Sequence, residues 1–253
     1  LNQSRRSPVY KFGFEVPRNH QDAMRIDTVN GTTKWRESEQ TELDQIDDYE
    51  TFENLGKARL NAKGHATNAP RDYKRVRVHM IYDVKHDGRL KSRLVANGAM
   101  TEIPVESVYS GVVSLRSLRI VVFLAELNNL GLWGADVGNA YLEIYTKEKV
   151  YIVAGPEFGD REGQLVIVRK ALYGLRGSGQ AFHEKFADTL LEMGFTPSKA
   201  DADVWMRENN GLYEYIAVYV DDLCIAMKDP GKLIDELRDI HNYKLKGVGP
   251  IKY

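Results

Sequence analysis

Three aspartates stand where apolar stretches end, and their carboxylates could do chemistry together. Asp221 and Asp222 form an adjacent pair between two apolar stretches, 216–220 and 223–227, and Asp136 follows a third. Apolar strands of this kind are normally buried, and burying anions costs free energy unless a cation neutralises them. Carboxylate oxygens are ligands that Mg²⁺ prefers, so the pattern favours a divalent-metal site.

Such a site has a definite chemistry. Three carboxylates at the ends of adjacent strands could hold two metal ions that activate an attacking hydroxyl and stabilise the leaving group of an in-line phosphoryl displacement. The alternative is structural, because Asp-Asp also occurs in tight hairpin turns. The position of Asp136 at the end of a separate core strand favours the metal site.

A β-hairpin that presents cations is predicted ahead of the first aspartate. Residues 76–84 and 89–96 are rich in β-formers and flank the turn dipeptide Asp87-Gly88. Because side chains alternate between the two faces of a strand, the second strand has one cationic and one apolar face. The cationic face contains Arg89, Lys91 and Arg93, and the apolar face contains Leu90, Leu94 and Ala96.

The remaining pattern predicts an α+β protein, with strands in hairpins and helices packed to one side. We predict helices over 33–52, 114–130 and 178–193, and a last helix from Pro230 that buries Leu233, Ile234, Leu237 and Ile240. Further strands are predicted at 133–137, 150–153, 165–168, 204–207, 213–220 and 223–227. Residues 1–30 are expected to be loosely structured and 54–72 to form a loop.

Composition bounds the possible functions. The chain has 253 residues, of which 43% are apolar and 28% charged, which is typical of globular domains. A single cysteine, Cys224, excludes an internal disulfide and favours a reducing compartment. No apolar run approaches the length of a membrane span, so we expect no membrane association. Eight acidic residues in 37–53 precede a basic block in 57–93, which could form a local positive surface or a solvated face.

Four motifs occur in order along the chain: Lys-Ser-Arg-Leu-Val-Ala (91–96), Asp-Val-Gly-Asn-Ala-Tyr-Leu (136–142), Leu-Tyr-Gly-Leu-Arg (172–176) and Tyr-Val-Asp-Asp (219–222). Together they resemble motifs of the reverse transcriptases of copia-type LTR retrotransposons and, more distantly, those of retroviruses. The resemblance extends from about Trp35 to the end of the chain. Its spacing also fits, since roughly eighty-five residues separate the first aspartate from the pair.

The resemblance implies roles for the acidic residues. Asp136 and Asp221 would bind two Mg²⁺ ions, for which Mn²⁺ could substitute, with the carbonyl oxygen of Val137 as a further ligand. Asp222 would be a catalytic-site carboxylate with a lesser ligand role. The three aspartates would therefore be the catalytic residues.

It also implies substrate contacts. Lys91 and Arg93 would hold the incoming triphosphate, although a solvated strand face is the alternative. Tyr141 would stack under the deoxyribose and exclude a 2′-hydroxyl, unless it is only a core aromatic. The remaining dNTP-binding residues implied by the motif are Gly138, Asn139 and Ala140.

Template and primer contacts are implied for three further residues. Tyr219 would touch the primer end, and Gly174 would let the backbone approach the templating base pair. Arg176 could meet a template phosphate, with an ordinary surface arginine as the equal alternative.

The implied architecture is the fingers and palm of a right-hand polymerase, with an antiparallel palm sheet backed by helices and the thumb absent. Residues 1–34 would be an N-terminal extension, 35–132 mainly fingers, and 133–253 mainly palm with a fingers segment at about 149–175. The expected partners are an RNA template, a DNA or tRNA primer, dNTPs and the other Pol domains: integrase before, thumb and ribonuclease H after.

The expected activity is RNA-directed DNA polymerisation in a cytoplasmic virus-like particle, with the nucleus as an alternative location. Two rivals stay open at this point. One is a domesticated, non-catalytic relative that binds nucleic acid or protein, and the other is a different palm-type enzyme such as a nucleotide cyclase.

Overall fold

The computed structural model describes residues 7–100 and 111–251. These residues combine β-sheets with α-helices, so the prediction of a mixed α and β protein is confirmed. They divide into two compact units, one within 1–105 and 141–178 and the other within 106–140 and 179–253. Among the helices in the described part of the chain, none has both the length and the hydropathy that a bilayer span requires.

Five α-helices and fourteen β-strands occur in the described part of the chain. The first part of the chain forms β1 (Val9–Lys11), β2 (Phe14–Val16), α1 (His20–Asn30), α2 (Lys34–Asp48), β3 (Phe52–Lys57), β4 (Lys74–Arg75), β5 (Val78–Val84), β6 (Leu90–Ala96) and α3 (Leu115–Leu127). The second part forms β7 (Gly131–Val137), β8 (Val150–Val153), β9 (Gln164–Val168), α4 (Ser178–Glu192), β10 (Thr196–Pro197), β11 (Val204–Asn209), β12 (Leu212–Tyr219), β13 (Asp222–Met227), α5 (Pro230–Asp239) and β14 (Leu245–Pro250).

The N-terminal segment is more ordered than its sequence indicated. The expectation of loose structure in 1–30 is wrong for residues 7–30, where β1 pairs with β2 and α1 follows. The cause is tertiary, because Ala23 and Ile26 of α1 are buried against Trp35 and Val84. Such a cluster joins distant residues and leaves little local periodicity to detect.

The core of the first unit lies between α2, the β5–β6 hairpin and a four-stranded sheet of order β3-β9-β8-β4. Leu43 and Ile46 of α2 pack with Leu94 and Ala96 of β6, which confirms the predicted apolar face of that strand. The predicted loop at 54–72 is wrong at its start, where residues up to Lys57 form β3. Its partner is the distant β9, so the local sequence did not show the pairing.

The second unit is built on an antiparallel six-stranded sheet of order β10-β11-β12-β13-β7-β14. Helix α3 packs on one face through Val121 and Ala125. Three apolar residues of the same helix, Leu115, Ile120 and Leu127, are exposed.

The last helix is shorter than expected. Leu233, Ile234 and Leu237 are buried as predicted, but Ile240 is 67% exposed. The reason is that α5 ends at Asp239, so Ile240 leaves the helix before its side chain can reach the inner face.

Candidate active site

The aspartate pair lies at a tight hairpin tip. Tyr219 pairs with Asp222, so β12 and β13 are joined by only two residues, Val220 and Asp221. Val220 has a φ of 58°, in the left-handed region that β-branched residues rarely adopt. A hairpin turn with positive φ at its first central position favours glycine there. The turn therefore holds a strained residue directly before the two carboxylates, and strain of this kind concentrates at functional sites.

The strand register brings two of the three aspartates face to face. Asp222 of β13 lies directly opposite Asp136 of β7. Tyr219 lies opposite Asp222 on one side, and Lys246 of β14 lies opposite Asp136 on the other. Directly opposed residues share a sheet face, with Cβ atoms about 4.5–5.5 Å apart. The result is a row of Tyr219, Asp222, Asp136 and Lys246 across four neighbouring strands.

The third aspartate is tied to the same place through its backbone. The carbonyl oxygen of Asp221 accepts a 2.7 Å hydrogen bond from the N–H of Val137, the residue after Asp136. Among residues 7–100 and 111–251, no group of three or more His, Cys, Asp or Glu side chains is already arranged to hold a metal ion. The structure thus pairs two carboxylates by register and places the third residue in the adjoining turn.

Strand β14 passes close to the predicted nucleotide-binding stretch. The N–H of Gly138 donates to the carbonyl of Lys244 at 2.7 Å. A Cβ atom at Gly138 would lie 2.8 Å from Cε of Lys246 and 2.9 Å from the Lys244 oxygen. Glycine is therefore needed here for the approach of β14. Asn139 follows with a φ of 56°, and Ala140 is buried.

Sequence reasoning missed Lys246, although it extends the row of site residues. The available signal was the alternation of Lys244 and Lys246 around Leu245, which is typical of a strand with one charged face. Nothing local indicated that this strand would pair with β7, because the pairing joins distant segments.

In the first unit, three residues from different sequence motifs are in contact. The guanidinium of Arg93 lies over the ring of Tyr173, 5.1 Å from its centroid. The ring of Tyr141 meets the same tyrosine edge-on at 4.9 Å. Tyr173 therefore links two predicted dNTP-binding residues, and its place in the Leu-Tyr-Gly-Leu motif was the signal for it. Lys91, on the same strand face as Arg93, is partly exposed.

The predicted template residues have structural contacts of their own. Gly174 has a φ of 87°, and a Cβ atom there would lie 2.1 Å from the carbonyl oxygen of Ala96. The N–H of Ala96 in turn donates to the carbonyl of Tyr173 at 2.7 Å. Arg176 donates through Nε to the carbonyl of Gly98 at 2.7 Å. Close approach to the end of β6 explains Gly174, and Arg176 anchors the same loop.

The thiol of Cys224 lies near the aspartates but is not a reactive group. Cys224 lies two residues after Asp222 on the same strand, and burial raises its pKa to about 11. A thiol with so high a pKa stays protonated at neutral pH and is a poor nucleophile and a poor metal ligand.

Fold and site define a class of protein: a mixed α and β chain whose antiparallel sheet carries opposed carboxylates beside a strained hairpin turn. A model of the family described as reverse transcriptase (RNA-dependent DNA polymerase) matches residues 53–253. The chain belongs to this family.

Several curated proteins are similar to this chain. The retrovirus-related Pol polyprotein from transposon RE1 of Arabidopsis thaliana is 32% identical over 60% of this chain and 11% of its own length. The Pol polyprotein from transposon TNT 1-94 of Nicotiana tabacum is 26% identical over 72% of this chain and 14% of its own. The Ty1-NL2 Gag-Pol polyprotein of Saccharomyces cerevisiae is 29% identical over 67% of this chain and 10% of its own.

The chain therefore spans about a tenth of the length of the curated relatives it matches. The resemblance to copia-type retrotransposon reverse transcriptases, predicted from the four motifs, is confirmed.

Proposed function

We propose that this chain is an RNA-directed DNA polymerase that extends a primer 3′-hydroxyl with dNTPs by two-metal nucleotidyl transfer. The observation that carries the proposal is the strand register, which sets Asp136 opposite Asp222 with Asp221 in the adjoining turn. In this proposal the first unit supplies the fingers and the second unit the palm.

The residues present suit Mg²⁺ in their chemistry, because carboxylate oxygens are hard ligands and two of them are already opposed. Asp136, Asp221 and Asp222 would hold the ions, with the carbonyl of Val137 as a further ligand and Mn²⁺ as a substitute. Two bound ions would activate the primer hydroxyl and neutralise the leaving pyrophosphate.

The rest of the work belongs to side chains of the protein. Lys91 and Arg93 would bind the triphosphate, and the packing of Arg93 on Tyr173 orients its guanidinium. Tyr141, held against the same ring, would exclude a ribose 2′-hydroxyl. Lys246 adds a cation beside Asp136, where it would attract the polyphosphate.

Gly138, Asn139 and Ala140 would be further dNTP-binding residues, and the 3₁₀ turn that begins at Ala140 carries Tyr141. On the template and primer side, Tyr219 is 55% exposed and free to touch a primer end. Gly174 and Arg176 would shape the loop that meets the template.

The wider setting is part of the same proposal. RNA template, DNA or tRNA primer and dNTPs would be the substrates, and the other Pol domains the partners. We place the activity in a cytoplasmic virus-like particle. The domain division is likewise proposed: an extension (1–34), mainly fingers with the start of the palm (35–132), and mainly palm with a fingers segment at about 149–175 (133–253).

A second candidate is a non-catalytic relative that binds nucleic acid through the same fold. It is favoured by the lack, in the described part of the chain, of three acidic side chains already arranged around a metal position. Catalysis separates the two candidates, because only the first requires the carboxylates.

The test is primer extension on an RNA template with Mg²⁺, comparing the wild-type chain with Asp221→Asn and a matched control, Glu208→Gln. Glu208 is an exposed carboxylate near the opposite end of the β11–β12 hairpin. We expect Asp221→Asn to abolish extension while circular dichroism and melting temperature stay close to wild type. Extension at the wild-type rate by Asp221→Asn would refute the assignment.

A further inference from the structure

The hairpin that carries Lys91 and Arg93 is not part of a larger sheet. Within residues 7–100 and 111–251, strands β5 and β6 pair with each other and with no further strand, as a two-stranded sheet. An isolated two-stranded hairpin is marginally stable in water and needs packing against another element. The element that packs against β6 therefore determines how rigidly Lys91 and Arg93 are held.

Helix α2 provides that support through polar contacts to β6. The carboxylate of Glu42 accepts a 3.1 Å hydrogen bond from the backbone N–H of Leu94. One turn earlier, the hydroxyls of Ser38 and Ser92 lie 2.9 Å apart and share a hydrogen bond. Ser92 is only 3% exposed, so this contact is sheltered from water.

A third contact joins α2 to β5 and to α1. Glu39 is 3% exposed, and its carboxylate accepts a hydrogen bond from the hydroxyl of Tyr82. The other carboxylate oxygen lies 2.8 Å from Nδ1 of His20, the first residue of α1. The ring of Tyr82 also meets Trp35 of α2 edge-on at 5.5 Å. Both strands of the hairpin are therefore fastened to the same helix.

The fastened positions alternate with the cationic ones. Ser92 and Leu94 face α2. Lys91 precedes Ser92, Arg93 lies between Ser92 and Leu94, and both cations are on the opposite face of the strand. Because the side-chain period of a strand is two, a slip of one residue would turn both cations toward the apolar core. The contacts from α2 thus specify which face of β6 is displayed.

We propose that Ser38, Glu39 and Glu42 are positioning residues that hold β6 so that Lys91 and Arg93 face the incoming triphosphate. The inference rests on the proposed function. It gives a task to α2, which precedes the family-matched segment 53–253. The acidic block of the sequence is then partly a set of hydrogen-bond acceptors for the hairpin.

The test compares Glu42→Ala, Glu42→Gln and Ser38→Ala with a matched control, Asp44→Ala, in the full 253-residue chain. Asp44 lies on the exposed side of α2 and accepts a hydrogen bond from Gln40 of the same helix. Three quantities are measured: KM and kcat for dNTP in primer extension, equilibrium binding of a dNTP, and hydrogen exchange of the Leu94 amide.

Loss of a hydrogen bond to a charged acceptor changes the equilibrium constant between the displayed and displaced positions of β6 by about tenfold. We therefore expect Glu42→Ala to raise KM and the dissociation constant for dNTP by up to about tenfold, with kcat within twofold of wild type and faster exchange at Leu94. Glu42→Gln keeps an acceptor oxygen and should recover most of the affinity. Ser38→Ala should show a smaller shift, and Asp44→Ala none.

Failure of the positioning role and failure of the polymerase assignment would give different results. Faster exchange at Leu94 without any change in dNTP affinity would overturn the positioning role, as would equal losses in Glu42→Ala and Asp44→Ala. A wild-type chain that binds dNTP but does not extend primers would defeat only the polymerase assignment, and loss of binding in Glu42→Ala would still support positioning. A wild-type chain that binds no dNTP would overturn both.

Discussion

The opposed carboxylates of Asp136 and Asp222 should be energetically coupled, and the sign of the coupling energy should depend on whether a metal ion is bound. The perturbation is a double-mutant cycle of Asp136→Asn, Asp222→Asn and the double variant. Asparagine keeps the shape of the side chain and removes its charge, so the cycle isolates the interaction between the two charges from whatever else each residue contacts.

Without metal the coupling should be repulsive. Residues directly opposite in an antiparallel pair have Cβ atoms about 4.5–5.5 Å apart, and like charges there destabilise the sheet. In water two charges at this range repel by about 1 kcal/mol, and Asp222 is exposed, so screening reduces the value to about 0.5–1 kcal/mol. The repulsion should largely disappear in 1 M salt, where the screening length falls to about 3 Å.

With Mg²⁺ the coupling should reverse. An ion held by both carboxylates stabilises the folded wild-type chain by about 2.7 kcal/mol when its concentration is a hundred times the dissociation constant. Either single variant should lose most of this gain, and the second substitution should then cost little more. The coupling energy is therefore favourable with Mg²⁺ and unfavourable in chelator.

The assay is urea unfolding of the four proteins in EDTA and in Mg²⁺, with a second cycle of Asp136→Asn and Glu208→Gln as control. Asp136 of β7 and Glu208 of β11 lie near opposite ends of the sheet along the strand direction, with β12 and β13 between them, so the control cycle should be additive in both buffers. A coupling energy of zero in EDTA, or the same sign in both buffers, would refute the opposed-carboxylate reasoning.

Two further predictions concern stability in the first unit. Burial raises the pKa of Glu157. The protonated side chain therefore contributes stability at pH values below the ordinary glutamate range, and this contribution is lost as pH rises through the raised pKa. Glu157→Gln should be more stable than wild type at pH 7–8, and the difference in urea midpoint should shrink toward about pH 4. A difference independent of pH would contradict this. Gly174→Ala should lower the free energy of unfolding by about 1–3 kcal/mol more than Gly163→Ala does. Both glycines have positive φ, but of the two only Gly174 would bring a Cβ atom against a backbone oxygen. Equal melting temperatures of the two variants would contradict this prediction.

Much of the fold follows from local signals in the sequence. The hairpin of β5 and β6 was predicted from its β-formers and the Asp87-Gly88 turn, and the apolar face of β6 from strict alternation. Helix α4 was predicted at Ser178 with its end before Gly194. In each case the information lies within a dozen residues, where side-chain periodicity is strong.

What the sequence did not show depends on distant partners. Strand β3 exists because it pairs with β9, and the hairpin of β1 and β2 is ordered because α1 packs on Trp35. The exposure of Ile240 followed from where α5 ends, which is the least predictable property of a helix.

The candidate site shows the same division. Motifs located Asp136, Asp221 and Asp222, and the register of β7 with β13 is consistent with a shared site. Lys246 and Tyr173 were missed because each enters through a contact with another segment: β14 against β7, and the ring of Tyr173 against Arg93 and Tyr141. Their identity alone carries no sign of those neighbours.

The pairing of β3 with β9 has a consequence for biosynthesis. The side chains of Asn54 and Gln164, which meet across these strands, are 110 positions apart, and residues of the other unit are translated between them. During synthesis on the ribosome, β3 emerges long before its partner exists and must wait with an unpaired edge. Contacts of such wide sequence separation slow folding and leave nascent chains open to aggregation. A chaperone that shields the first hundred residues should therefore increase the yield of folded protein more than one that acts after release.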